Sequence, residues 1–275
     1  RGEVRAVRML GWVMKAAAMR SHPAAERVGR VLVRIVGGAG SDGATEEETR
    51  WAAAEAFGDL VRGDVPGLTK ASFARVSPVY RQRAFEEYFG LGGFFGVRAA
   101  ASRSAPSNAG GDGMEVVDAM AGPVAAVEDG PTLLARVRLV CGSTPATLEP
   151  HLDAVAPLVV RCTQSLEPRV RAAALDAVSL LVSDAKGLDA MEPHLSGLVS
   201  FLLRCTRAAE SPSVPARIAA LGALERIAAS LPYHRVHPLR HAVASGLAKG
   251  ALDDPKRAVR AQAVRCRDRW SVFNV

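Results

Sequence analysis

One six-residue phrase, written three times, constrains this chain more than any other feature. Val170-Arg171-Ala172-Ala173-Ala174-Leu175 returns as Ala216-Arg217-Ile218-Ala219-Ala220-Leu221 and again as Val259-Arg260-Ala261-Gln262-Ala263-Val264, with the arginines 46 and 43 residues apart. A second set of copies runs beside the first. Glu149-Pro150-His151-Leu152 recurs as Glu192-Pro193-His194-Leu195, and Arg161-Cys162-Thr163 as Arg204-Cys205-Thr206, both at an offset of 43. A weaker copy, His237-Pro238-Leu239, follows with its leucine 44 residues beyond Leu195. Agreement of several registers on one period is not a chance tripeptide. Paired helices repeating every ~40–47 residues are the signature of HEAT repeats.

Helical geometry explains the phrase. Val170, Ala174 and Leu175 fall on one face at 3.6 residues per turn, and the alanines between them let neighbouring helices approach closely. Each arginine stands six residues after Ser165, Ser211 or Asp254. From there it can reach the turn before its own helix or the adjacent repeat. Arg171, Arg217 and Arg260, with Asp254, are therefore read as a structural ladder between repeats, because stacked neighbours carry the stability of a solenoid. Pro157 falls inside the first helix of its repeat, where a kink is expected. The fold class is all-α, an α-solenoid of antiparallel helix pairs, with the clearest repeats at 146–184, 188–230 and 232–271.

Composition fits that class. The chain is 49% hydrophobic but only 5% aromatic, so its core must be packed with Ala, Val and Leu. It begins with Arg and reads as one HEAT-repeat domain, 1–275, of a longer protein. Cys141, Cys162, Cys205 and Cys266 form no C-x-x-C pair, and two of them occupy equivalent repeat positions. They read as buried helix-face thiols of a reducing compartment, not as disulfides, metal ligands or cluster ligands. No apolar run reaches the ~18 residues of a membrane span, and no signal peptide opens the chain. The expectation is a soluble intracellular protein. The net charge of +7 invites a nucleic-acid reading. Yet lysine occurs only at 15, 70, 186, 249 and 256, and the arginines are spread rather than bunched, which argues against direct nucleic-acid binding. A basic solenoid binds acidic protein surfaces equally well.

Upstream of the repeats the pattern is still helical. Residues 3–20 form a helix with Val7, Leu10, Trp12, Val13 and Met14 on a broad apolar face, and 24–36 is its antiparallel partner. Gly37 to Gly43 is a flexible turn. Thr45 caps the next helix, with Glu46, Glu47 and Glu48 in the first turn, where the macrodipole favours carboxylates. That helix carries Trp51, Ala54, Phe57 and Leu60. Pro78 starts another, containing Tyr80-Arg81-Gln82-Arg83-Ala84-Phe85 and Tyr88-Phe89. It is either an apolar face between repeats or a partner site exposing Arg81 and Arg83. Residues 99–113 are low-complexity and read as a flexible insertion loop. Helical patterning resumes over 114–127, which pairs with a helix over 131–141.

Catalytic and metal motifs are missing from the sequence. His234, His237 and His241 are spaced to share a helix face, but zinc would need a fourth ligand, and no Asp or Glu lies between Ser230 and Ala251. No phosphate loop, H-E-x-x-H helix or G-x-S-x-G elbow is present. A DNA glycosylase of HEAT-like build would need aromatic residues and a carboxylate gathered on one groove, whereas Trp12, Trp51 and Trp270 fall in distant repeats. The chain is read as non-enzymatic, with no cofactor.

Several stretches resemble one family. Ser211-Pro212-Ser213, the phrase at Arg217, Leu252-Asp253-Asp254-Pro255-Lys256-Arg257 and Arg267 to Trp270 resemble the C-terminal HEAT domain of the large scaffold subunit of the cytosolic iron–sulfur assembly targeting complex, the methyl-methanesulfonate-sensitivity family. Tyr80 to Phe85 looks like its R-Q-R-x-F stretch. Trp12-Val13-Met14-Lys15-Ala16 and Arg20-Ser21-His22-Pro23 are similar to its W-V-x-K-A and R-x-H-P segments. The resemblance implies a non-catalytic adaptor in cytoplasm and nucleus. Such an adaptor holds a WD-repeat propeller subunit and a small targeting subunit, and it presents apo-proteins, among them DNA helicases, polymerases and primase, for cluster insertion. Another HEAT scaffold, of transport-receptor or phosphatase type, is the alternative, and a HEAT-like DNA-binding protein comes third. The candidate partner-binding residues are Arg207, Lys249, Lys256, Arg257, Arg265 and Arg269, with Arg81 and Arg83 as a second patch. The competing reading of all of them is a solvated helix face.

Overall fold

The computed structural model describes residues 2–19, 22–38, 44–61, 78–89 and 129–271, and every regular element among them is helical. The helices are α1 (Gly2–Met19), α2 (Ala24–Val36), α3 (Ala44–Val61), α4 (Pro78–Phe89), α5 (Gly130–Gly142), α6 (Pro145–Leu148), α7 (Leu152–Thr163), α8 (Pro168–Leu181), α9 (Ala185–Met191), α10 (Leu195–Cys205), α11 (Val214–Ser230), α12 (Tyr233–Val236), α13 (Arg240–Ala248) and α14 (Arg257–Ser271). Residues 99–113 and the helix expected over 114–127 lie outside the described residues.

Two rows result. One row runs α1, α3, α5, α8, α11 and α14, each packed on the next. In the other row, α7 packs on α10 and α10 on α13, while each hairpin joins the rows internally. The last three hairpins therefore occupy 145–181, 185–230 and 233–271. This is an all-α helical-repeat solenoid.

Proline decides where each first helix bends. Short 3₁₀ turns at Glu149–His151, Glu192–His194 and His237–Leu239 split it in two. Pro150, Pro193 and Pro238 lack the N–H that a continuous α-helix needs, and the tighter turn avoids the clash of the ring with the preceding carbonyl. Pro157 does lie inside α7, but the break is upstream of it. Aligning the prolines also corrects the third register. Pro238 is equivalent to Pro193 at an offset of 45, not 44, and buried Val236, Val243 and Leu247 then match buried Met191, Leu198 and Leu202. The same break separates His234, His237 and His241 into three different segments, so they do not share one helix face.

Side-chain burial follows helical period. Val170, Ala174 and Leu175 are buried against neighbouring hairpins, and so are Ala220, Leu221, Val259 and Ala263. Burying a leucine such as Leu202 contributes about 1.5–3 kcal/mol. On α1, Val7 and Met14 face inward and Leu10 is half-buried, but Trp12 and Val13 are 62% and 51% exposed. Positions 7, 10 and 14 share a stripe, and positions 12 and 13 lie well round the helix from it. Gly11 permits the close approach of α1 to α3, because a Cβ there would sit 2.8 Å from that of Ala56. Helix α2 ends at Gly37, and Gly38 follows in the left-handed region at φ 75°, where glycine carries no steric penalty.

The aromatic segment of α4 is an inter-helix packing face. Ala84, Phe85, Tyr88 and Phe89 are buried, Phe57 meets Tyr88 edge-on at 5.5 Å, and Phe85 stacks on Phe89 at 4.6 Å.

Candidate functional site

The arginine of the repeated phrase has the same local task in all three hairpins. Arg171 Nη1 donates to the carbonyls of Ser165 (3.0 Å) and Leu166 (2.7 Å). Arg217 Nη1 donates to Ser211 (2.7 Å) and Pro212 (3.0 Å), and Arg260 Nη1 to Asp254 (2.6 Å) and Pro255 (3.2 Å). Each guanidinium thus ties down the turn that precedes its own helix and satisfies carbonyls that no ladder reaches. Among the described residues this arginine reaches across to the next repeat once. Arg217 Nη2 donates to Asp254 Oδ1 in the next hairpin at 3.4 Å, and Nε lies 2.8 Å from Oδ2, an ion-pair distance at which the two atoms are not aligned for a hydrogen bond, with side chains 3% and 1% exposed. Arg171 and Arg260 have no such arm among the described residues. For Arg171 the reason lies in the sequence: where Arg217 meets Asp254, six residues before the next arginine, Arg171 faces the equivalent Ser211, which is no carboxylate.

The second repeated motif closes the first helix. Arg161 and Arg204 sit in the last turn, where cations suit the macrodipole. Thr163 Oγ1 donates to Val160 O at 2.6 Å and Thr206 Oγ1 to Leu203 O at 2.8 Å, which satisfies terminal carbonyls. Cys162 is buried between them and Cys205 partly so. Burial pushes the Cys162 thiol up to about 12, Cys205 to about 11 and Cys266 to about 12. Cys141 donates to the Ala173 carbonyl at 3.2 Å. Cys162, Cys205 and Cys266 are therefore protonated at neutral pH and unreactive as nucleophiles. Among the described residues no group of three or more His, Cys, Asp or Glu is placed to hold a metal ion. Nor is any helix there long and apolar enough to cross a membrane.

A third device ties the opposite edge. Glu149 pairs with Lys186 of the next hairpin, and Glu192 with Arg235 at 2.6 Å. The glutamate of Glu-Pro-His thus binds the following repeat, while its proline bends its own.

The surface candidates divide into groups. Arg207, Lys249, Lys256 and Arg257 are exposed on the edge formed by the turns between first and second helices. Arg207 reaches the turn of the next hairpin, and a Cβ at Gly250 would lie 3.2 Å from its Cγ. Asp254 also accepts from the Lys256 amide at 2.8 Å, which anchors the loop that carries Lys256 and Arg257. Arg265 and Arg269 stand further along α14, about 12–18 Å of helix beyond Arg257. Arg265 is paired with Gln262, and Arg269 borders an open groove between α11 and α14 with Arg226 and Glu225. Arg83 is far away on α4, 3.1 Å from Glu26. The Arg81 side chain lies outside the described residues. The seven described cations do not form one patch.

The corrected register reveals what the sequence reading missed. Lys249 is equivalent to Arg204 at 45 residues, and Arg204 to Arg161 at 43. These three exposed cations make a column along the turn edge. The Arg-Cys-Thr copies carried that signal, but the third repeat reads Lys-Gly-Ala and hides it.

A row of helical hairpins held by side-chain ties, with a cationic edge, defines the class: a helical-repeat solenoid. Comparison adds a family likeness. Residues 131–228 match the MMS19 C-terminal family, described as RNAPII transcription regulator C-terminal. A 41-residue segment is 49% identical to the MMS19 nucleotide excision repair protein homolog of Arabidopsis thaliana, a match covering 15% of this chain and 4% of that relative's length. The matched family is the one that the sequence resemblance indicates. Among solved structures, a designed armadillo repeat protein superposes with a TM-score of 0.55 over 97% of this chain and 92% of its own, at 13% identity. That likeness is one of fold.

Proposed function

We propose that this chain is part of a non-catalytic adaptor of the cytosolic iron–sulfur protein assembly machinery. It holds a WD-repeat propeller subunit and a small targeting subunit, and it presents apo-proteins, including DNA replication and repair enzymes, for cluster insertion in cytoplasm and nucleus. The observation that carries the reading is the family match over the first two of the three clearest repeats. The relative named for nucleotide excision repair accords with clients in DNA maintenance. A scaffold of this kind needs no cofactor of its own, and its thiols, raised by burial, suit a structural role. The cations Arg207, Lys249, Lys256 and Arg257, on one edge, are the partner surface we favour; Arg83, already paired with Glu26, is the weaker patch.

The test is co-purification. Tagged chain should capture the propeller and the small targeting subunit, and Lys256→Glu with Arg257→Glu should weaken that capture while leaving the melting temperature unchanged. Failure to capture either subunit refutes the adaptor reading. Undiminished capture by the charge-reversed chain removes this edge from it.

A further inference from the structure

Two successive junctions on the turn edge differ by one residue. Between α11 and α14, Asp254 fills the space beside Arg217, and both side chains are buried. Between α8 and α11 the equivalent residues are Arg171 and Ser211. Serine is shorter and uncharged, and a cavity of about 270 Å³ opens there. Its floor is apolar, made by Leu175, Phe201 and Ala216, while Arg171 and Arg204 stand at its wall against a single carboxylate, Glu210. Arg171 spends Nη1 on its own turn, as Arg217 does. The Nε edge with which Arg217 grips Asp254 has no acceptor at Arg171 among the described residues. Cys205 also borders the cavity, and its thiol, held at about 11 by burial, adds no charge there.

We propose that this notch binds an acidic, apolar peptide segment of a partner protein. One Glu or Asp of the segment supplies to Arg171 and Arg204 the carboxylate that Asp254 supplies to Arg217 within the chain. An adjacent leucine or phenylalanine rests on the Leu175–Phe201 floor. Charged groups fix orientation and the apolar floor excludes water, the usual division of labour in a recognition pocket. A nucleic-acid backbone would satisfy the guanidinium groups but leave the floor uncovered, so a peptide matches both halves. The proposal rests on the adaptor reading only in making the occupant a protein.

The experiment uses the full chain and a fluorescein-labelled probe peptide, Ser-Glu-Leu-Phe-Asp-Ser, read by fluorescence anisotropy. Two controls replace its acids with lysine or its apolar pair with alanine. The wild-type chain should bind the probe at least about ten-fold more tightly than either control, a difference of about 1.4 kcal/mol. Ser211→Asp should raise the melting temperature, because the new carboxylate pairs with Arg171 as Asp254 does with Arg217, and should weaken probe binding at least about ten-fold. Arg204→Gln should weaken binding while lowering the melting temperature only slightly, since the helix end loses one favourable charge and gains no unfavourable one. Equal binding of the lysine control, unchanged binding by Ser211→Asp, a lowered melting temperature in that variant, or displacement of the probe by a single-stranded oligonucleotide would each overturn the proposal. Capture of the targeting subunits is a separate readout, so either reading can fail while the other stands.

Discussion

The two ends of the stack reach one architecture by different chemistry. Around α1 to α5, rings and close helix contacts fill the interior: Phe57 against Tyr88, Phe85 on Phe89, Gly11 against Ala56. From α7 onward the interior is mainly aliphatic, with Phe201 and Trp270 as its buried rings, and polar devices recur at fixed places: arginine tying the turn, threonine closing the first helix, glutamate reaching the next hairpin. Stacking needs a filled apolar flank and tolerates many ways of filling it. Polar ties tolerate few, because donor and acceptor must meet. That is why the repeat is written plainly in one half of the sequence and barely in the other.

The largest expected effect tests the aromatic half. Phe57→Ala removes a fully buried ring and should cost about 3–5 kcal/mol. Because each hairpin touches only its neighbours, hydrogen exchange should accelerate in α1 to α5 and stay near wild type in α14. Uniform acceleration would erase the distinction between the two halves.

A smaller effect lies at the border between them. Asp129 accepts from the Thr132 amide at 3.2 Å at the start of α5 and pairs with Arg50 of α3. Burial opposes its charge, but hydrogen bonds from Thr132 and Arg50 outweigh that and hold the carboxyl below its ordinary 3.8. The folded value is depressed, so the stabilisation is present above pH 3.8 and is lost as pH falls through the lower folded value. Asp129→Ala should cost about 1 kcal/mol at neutral pH and flatten the acid limb of the stability curve. An unchanged acid limb would show that the tie across α3 and α5 is not made.

The smallest effect belongs to the exposed edge. Lys186 is fully exposed, and its charge is favoured by Glu149 of the preceding hairpin. Solvent screens such pairs, so Lys186→Ala should leave the melting temperature unchanged. A clear drop would mean that the outer tie carries stability as the inner one does.

How much of this was legible in the residues depends on the kind of signal. The repeat period and the reach of Arg171, Arg217 and Arg260 to the turn behind them followed from spacing alone. The register of the third hairpin did not, because His237-Pro238-Leu239 places its leucine one position earlier than Glu-Pro-His-Leu does and drew the alignment to 44. The leucine misled where the proline, whose missing N–H shapes the backbone, was the safer anchor. Hydrophobicity alone places Trp12 and Val13 inward, although the helical stripe through Val7 and Met14 excludes them. The cation column was hidden for the same reason as the register. A ladder across all three repeats was expected, and only Asp254 supplies the carboxylate for it.

The buried tie between Arg217 and Asp254 is therefore where the stacking of successive hairpins can be measured most directly. A double-mutant cycle with Arg217→Met, Asp254→Leu and the pair, followed by denaturant unfolding, isolates their coupling. Each single change should be strongly destabilising, by about 3–5 kcal/mol, because it strands a buried charge, while the double variant should lose clearly less than the sum of the two. A coupling of roughly 2–3 kcal/mol is the expected result. Additive losses, with coupling near zero, would mean that α11 and the Asp254 turn do not meet and that the hairpins are not stacked as described.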